Sequence, residues 1–171
     1  VLLSDGYQAY ARYAERVNGI VHALCWSHTR RQFLKAEEVE PSLTARALSM
    51  IRDLYAQEER LRDFKASGAN LLELRAEHCK SIVDGFFEWL QDTLANEILV
   101  PTNPFTRAAA YALDRETGLR TFLAYPDVPI DTNHLEREIR VIALGRKNFL
   151  FAWTEIGAEY VGVLQSLLVS C

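Results

Sequence analysis

The sequence predicts an α/β fold that is mostly α-helical by residue count, and three observations carry that expectation. Two short apolar runs, Val1 to Leu3 and Gly19 to Trp26, read as strands. Between them Tyr7, Tyr10, Tyr13, Ala14 and Val17 recur at helical spacing, and strand, helix, strand with that connection argues for parallel neighbours in one sheet. From Arg30 onward the apolar positions follow a helical rather than a strand period.

The elements follow in order. The second strand, IVHALCW, is rich in β-favouring residues and follows the turn-forming pair Asn18-Gly19. Leu43, Ala47, Met50, Ile51, Leu54, Tyr55 and Leu61 then mark one apolar stripe among charges. Lys65 to Asn70 is a break, and Asn70 with Glu73 three residues on reads as a capping box. A second long helix carries Leu71, Leu74, His78, Ile82, Phe86 and Trp89, so an antiparallel hairpin of two long helices is expected. After the loop at 100–104, Asn103-Pro104 suits an N-cap followed by proline at the first helical position. That helix runs through Phe105, Ala109, Tyr111 and Ala112, and Tyr125 to Pro129 is a further break. Another helix is expected from Asn133 to Gly145, and a last one from Ile156 to Val169. Tyr7, Tyr10, Phe86, Phe87, Trp89, Phe149 and Trp153 are read as core aromatics.

The 171 residues fit one domain with an inserted subdomain, and 49% apolar content supports a sizeable core. No apolar run is long enough to span a bilayer, and no secretory signal is visible. Cys25, Cys79 and Cys171 are an odd, widely spaced set, which suits reduced cytoplasmic thiols rather than a disulfide framework. A net charge of −4 does not favour nucleic-acid binding by bulk attraction. The distribution says more. Residues 1–35 hold five basic and two acidic side chains, residues 36–100 seven and thirteen, and residues 101–171 seven and eight. The acid is concentrated in the helical middle, most simply as a solvated face.

Two carboxylates stand in informative places. Asp5 leaves the first strand, and Glu136 lies on a helix with Arg137 beside it and Arg140 one turn on. Such a pair is what metal-dependent phosphoryl transfer requires, because divalent cations clamp the attacking and leaving oxygens. Each has an ordinary alternative: Asp5 as a turn or N-cap residue, and Glu136 as the reach-back partner of Asn133 in a capping box. If the helix keeps its register through Gly145, Lys147 returns to the face of Glu136. Asp131 reads mainly as cap chemistry near the positive helix end. His22, Cys25 and His28 form an HxxCxxH string, but three-residue steps on a strand point to opposite faces, so a structural role is preferred over zinc. Arg30, Arg31 and Lys35 form a basic cluster suited equally to phosphate contact and to plain solvation.

DGYQAY, HALCWSHTRRQF, PIDTNHLEREIRVIALGRKNFLFA and GAEYVGVLQSLLVSC, in this order, resemble the catalytic domain of insertion-sequence-66 transposases. The resemblance runs the length of the chain. It implies a DDE transposase with a ribonuclease-H-like core, here partial and with few strands, interrupted by a large helical insertion. The corresponding segments are 1–35 for the partial core, 36–130 for the insertion, and 131–171 for the catalytic and closing helices. Two divalent ions, Mg²⁺ or Mn²⁺, would be held by two aspartates and a glutamate. By motif Asp5 matches the second acidic residue and Glu136 the third. The first belongs to a strand upstream of DGY, so the isolated chain is expected to be incomplete. Two departures stand out: Thr132 replaces a usual asparagine, and Trp153-Thr154 a small pair.

The implied activity is DNA cleavage and strand transfer at insertion-sequence ends. The implied partners are those ends, target DNA and further copies of the chain in the active assembly, with no membrane. Arg30, Arg31, Asn133, Arg137, Arg140, Arg146 and Lys147 are the expected DNA contacts, with His28 in support. A bacterial cytoplasmic, nucleoid-associated location follows. Two alternatives stay open: a truncated, non-catalytic DNA-binding or assembly fragment, and a helical interaction module formed by residues 43–98.

Overall fold

The computed structural model describes residues 1–97, 99–148 and 154–170, and the side chains of all these except 141–143, 145–148, 169 and 170. Leu2–Ser4 (β1) and His22–Leu24 (β2) pair in parallel, Leu2 opposite His22 and Ser4 opposite Leu24. The helix Gln8–Arg16 (α1) connects them. Trp26–Leu34 (α2), Pro41–Asp63 (α3), Gly68–His78 (α4), Lys80–Asn96 (α5), Pro104–Leu113 (α6) and Glu116–Arg120 (α7) follow, then a 3₁₀ turn at Thr121–Leu123. These belong to one compact unit, residues 1–131, and a second unit, residues 132–171, holds Asn133–Asn148 (α8) and Glu155–Ser170 (α9). Within the second unit α8 and α9 pack on each other. The chain is therefore mostly helical, with a two-stranded parallel sheet among the described residues.

So short a sheet needs cover to be stable. α7 supplies it by packing on β2. A Cβ on Gly118 would stand 2.7 Å from Leu24 Cγ and Cδ1 and 3.3 Å from the His22 carbonyl oxygen, so glycine is what permits the approach. Behind the sheet lies an aromatic core. Trp26 meets Phe86 and Phe87 at ring-centroid distances of 5.4 and 6.0 Å, and Phe33 meets Phe86 and Phe105 at 5.9 and 5.6 Å. α2 packs on α3 and α6, which fastens the strand segment to the acidic helices.

A buried ion pair crosses this core. Arg75 Nε and Nη2 donate to Glu58 Oε1 and Oε2 at 2.9 and 2.7 Å, while Nη1 donates to the carbonyls of Phe122 and Tyr125 at 2.7 and 3.1 Å. One side chain thus ties α3, α4 and the turn after α7.

Several expectations are corrected. The second strand stops at Leu24. Trp26 begins α2, because its N–H reaches the Ile130 carbonyl at 2.9 Å and its indole N–H the Leu119 carbonyl at 2.9 Å. Asn70 does not open α4, which begins at Gly68 behind the extended Ser67. The expected second long helix is two, divided at Cys79, whose φ of −96° and ψ of −35° stay near helical values. α8 continues through Gly145 to Asn148. Tyr7 and Tyr10 are exposed rather than core, since α1 buries none of its residues. Asn103 does cap α6, accepting the Phe105 N–H at 2.8 Å. Phe149, Trp153 and Cys171 lie outside the described residues.

Candidate functional site

Ser4 and Asp5 stand at the carboxyl end of β1, and His22 opens β2 beside them. Ser4, buried, shares a 2.7 Å hydrogen bond with His22 Nε2 and accepts the Gly6 N–H at 3.1 Å. Burial lowers the pKa of His22, which keeps the ring neutral near pH 7. The first histidine of the HxxCxxH string is thus engaged across the strand pair. Asp5 Oδ1 accepts the Tyr7 N–H at 2.9 Å, an Asx turn that leads into α1 and leaves the carboxylate exposed. The turn reading of Asp5 therefore holds, and a free face remains for another role.

α6 and the turn that follows it bring Tyr111 and Arg115 to this strand end. The Tyr111 hydroxyl donates to the Asp5 carbonyl at 3.4 Å, and the Arg115 guanidinium carbon lies 3.8 Å from the Tyr111 ring centroid. Burial raises the pKa of the Tyr111 phenol; Arg115 opposes that, while Asp5 and Cys25 add to it. α3 brings Tyr55 to the neighbourhood of Cys25, Arg30 and Asp131. Burial first, and then the Asp131 carboxylate, push the Tyr55 phenol far above its ordinary range. Asp131, expected as cap chemistry, thus lies near enough to the half-buried Tyr55 to raise its phenol pKa. Neither tyrosine was a candidate from sequence, and neither was Arg115. The readable trace was the four-residue step from Tyr111 to Arg115, which runs past the end of α6 and says nothing of Asp5.

α2 carries the remaining candidates of the first unit. His28, half-buried, accepts from Arg31 Nη1 at 3.2 Å. Arg30 and Arg31 are exposed, and Lys35 donates to Gln32 Oε1 at 2.8 Å.

In the second unit Glu136 is half-buried one turn into α8. Thr132 Oγ1 donates to Glu136 Oε1 at 3.1 Å, and the Glu136 N–H reaches the Thr132 carbonyl at 2.9 Å. Asn133 is the first helical residue rather than the residue before the helix, so the expected register of the capping box is shifted. Arg137 Nε donates to the Asn133 carbonyl at 3.3 Å. An open recess is lined by Asn133, Glu136, Arg137 and Arg140. The backbone of α8 keeps its register past Gly145; the side chains of Arg146 and Lys147 lie outside the described ones.

Among the described residues no three His, Cys, Asp or Glu side chains gather as a metal-ligand set. Asp5 and Glu136, in different units, each offer carboxylate oxygens, the donor type that Mg²⁺ and Mn²⁺ prefer. No helix among the described residues is long and apolar enough to cross a membrane.

By fold, the chain is a mostly helical α/β protein whose exposed strand-end carboxylate stands beside an arginine and a tyrosine. It belongs to the IS66 family of transposases, whose pattern residues 1–160 match. Three Sinorhizobium fredii proteins are similar to it. The protein described as uncharacterized protein y4qI is 33% identical over 179 residues, covering 100% of this chain and 32% of its own length. Uncharacterized protein y4hP is 27% identical, covering 100% of this chain and 33% of its own. Uncharacterized protein y4jD is 29% identical, covering 99% and 34%. The chain thus spans about one third of the length of the curated relatives it matches. No solved structure matches it.

Proposed function

We propose that the chain supplies the second and third acidic residues, Asp5 and Glu136, of a two-metal DNA-cleaving and strand-transferring site. The ribonuclease-H-like core of that site would be completed by a strand bearing a further aspartate. The observation that carries this reading is the exposed Asp5 carboxylate at the carboxyl end of a parallel strand, where open α/β sheets place their ligands. Membership of a transposase family supplies the reaction class. Asp5 and Glu136 would hold Mg²⁺ or Mn²⁺, which when bound stabilises the charge that develops on the transferred phosphoryl group.

The chain's own residues do the rest. The Asx turn fixes Asp5 through the Tyr7 N–H. Thr132 orients Glu136 by donating to Oε1. Arg137 and Arg140, with Asn133, line the recess beside Glu136 and offer donors to DNA phosphates. Arg146 and Lys147, expected from the sequence as further phosphate contacts, belong to the same reading, and Arg30 and Arg31 provide a basic group on α2. His28, accepting from Arg31, holds the guanidinium in place. Residues 1–35 then form part of the core, 36–130 an insertion, and 131–171 the catalytic and closing helices, and the assembly acts on DNA as a homo-oligomer.

The test is strand cleavage of insertion-sequence-end DNA with Mn²⁺ by this chain joined to the upstream half of a relative. Asp5→Asn and Glu136→Gln run alongside. Cleavage abolished by either substitution is the expected outcome. Undiminished cleavage by Glu136→Gln would leave Glu136 as the Thr132 partner alone. Salt-dependent DNA binding with no cleavage by any form would favour a non-catalytic assembly role.

A further inference from the structure

Arg115 differs from the other buried or half-buried arginines of the first unit. Arg75 and Arg120 are each paired with carboxylates, at 2.5–2.7 Å. Arg115 has no carboxylate within 4.0 Å among the described residues, although it is half-buried. It is held by stacking: its guanidinium carbon lies 3.8 Å from the centre of the Tyr111 ring, and Nη1 donates to the Tyr111 carbonyl at 3.4 Å. Stacking on a phenol fixes the plane of the fork while leaving the Nε and Nη2 donors unspent.

The position of this fork gives it meaning. A Cβ added to Gly6, the residue after Asp5, would lie 3.3 Å from both Arg115 Nε and the Tyr111 hydroxyl. Gly6 also has a φ of +90°, which side chains rarely adopt. The turn is therefore bare where the arginine approaches, and an exposed carboxylate and an unpaired guanidinium flank one glycine. An isolated surface ion pair would have closed the gap between Asp5 and Arg115. Here the cation is kept on the tyrosine instead. A carboxylate for cations and a rigid fork for an oxyanion, side by side, suit a phosphodiester.

We propose that Arg115, positioned by Tyr111, binds a backbone phosphate of DNA next to Asp5. The segment between α2 and α8 then contributes directly to the nucleic-acid face. This rests on the reading of Asp5 as a DNA-facing residue.

The experiment is fluorescence anisotropy of a labelled DNA duplex against salt, using the full chain. The variants are Arg115→Gln, Arg115→Lys, Tyr111→Leu, Arg140→Gln and the surface control Arg52→Gln, each checked for an unchanged unfolding midpoint. Arg115→Gln is expected to bind about tenfold more weakly at low salt, with the slope of log K against log salt reduced by about 0.9. Arg115→Lys should weaken binding but keep the slope, because it retains the charge and loses the fork. Tyr111→Leu should follow Arg115→Lys, and Arg52→Gln should match the parent. Arg115→Gln with the parent's affinity and slope, while Arg140→Gln is weakened, would overturn this proposal and leave the DNA-binding reading standing. A parent chain that binds no DNA at any salt would remove both.

Discussion

Arg75→Met is the sharpest test of how the helical part is held together. The substitution keeps most of the apolar volume and removes the guanidinium. Arg75 and Glu58 are 4% and 14% exposed at their side chains, so water does not take over the lost contacts. Two hydrogen bonds to a carboxylate and two to the carbonyls of Phe122 and Tyr125 disappear together. Glu58 is left nearly buried, with the Cys79 thiol 3.6 Å from Oε1 as its remaining neighbour. Breaking a buried pair by deleting one partner costs about 3–5 kcal/mol. In urea, with a slope of about 1–3 kcal/mol per molar, that lowers the unfolding midpoint by roughly 1–5 M. Fluorescence of Trp26 and Trp89, both in the first unit, reports it. Glu58→Gln and the double variant complete a cycle, and a coupling above about 1 kcal/mol is expected for residues in direct contact. Arg52→Met, on an exposed arginine that donates to Ser49, is the control. If Arg75→Met shifts the midpoint no more than Arg52→Met, the bridge is not what joins α3, α4 and the turn, and the reasoning fails.

Two further outcomes follow from the packing. Gly118→Ala should destabilise by about 1–3 kcal/mol in thermal melts, since overpacking against Leu24 outweighs the helical preference for alanine; a raised midpoint would show that Leu24 swings aside freely. Cys79 is fully buried, and burial, with the Glu58 carboxylate second, pushes its thiol up to about 12 from an ordinary value of 9.0. Native protein should resist iodoacetamide at Cys79 at pH 8. Because the folded pKa is the raised one, the stabilisation is whole below pH 9 and fades as pH climbs toward 12, and Cys79→Ala should flatten that alkaline decline in urea midpoints.

The sequence was legible where a signal is local. The alternation of apolar positions gives α3 and α6, and Asn103-Pro104 gives the start of α6 to the residue, because cap and proline act within one turn. It was illegible where distant groups decide. Cys79 interrupts a helix without glycine or proline, and nothing nearby announces it. Trp26 opens a helix because carbonyls of Leu119 and Ile130 accept its two N–H groups. The tyrosines of α1 have helical spacing, yet periodicity records which face is apolar and not whether that face is covered. At the candidate site, Asp5 was readable as a turn residue, whereas Tyr111 reaches it across 106 positions of sequence.

The closing of β2 by residues that come a hundred positions later sets an order of events during synthesis. Trp26 leaves the ribosome with its backbone N–H and indole N–H both waiting for carbonyls at Ile130 and Leu119. At about 5–20 residues per second, the strand pair and the Asp5 turn stay without their cover for roughly 5–20 s on each new chain. During that interval the face of β2 that α7 later covers and the two N–H donors of Trp26 are met by water instead of by protein. A slower passage through codons 116–130 would therefore lengthen the time before β2 and Trp26 meet their partners.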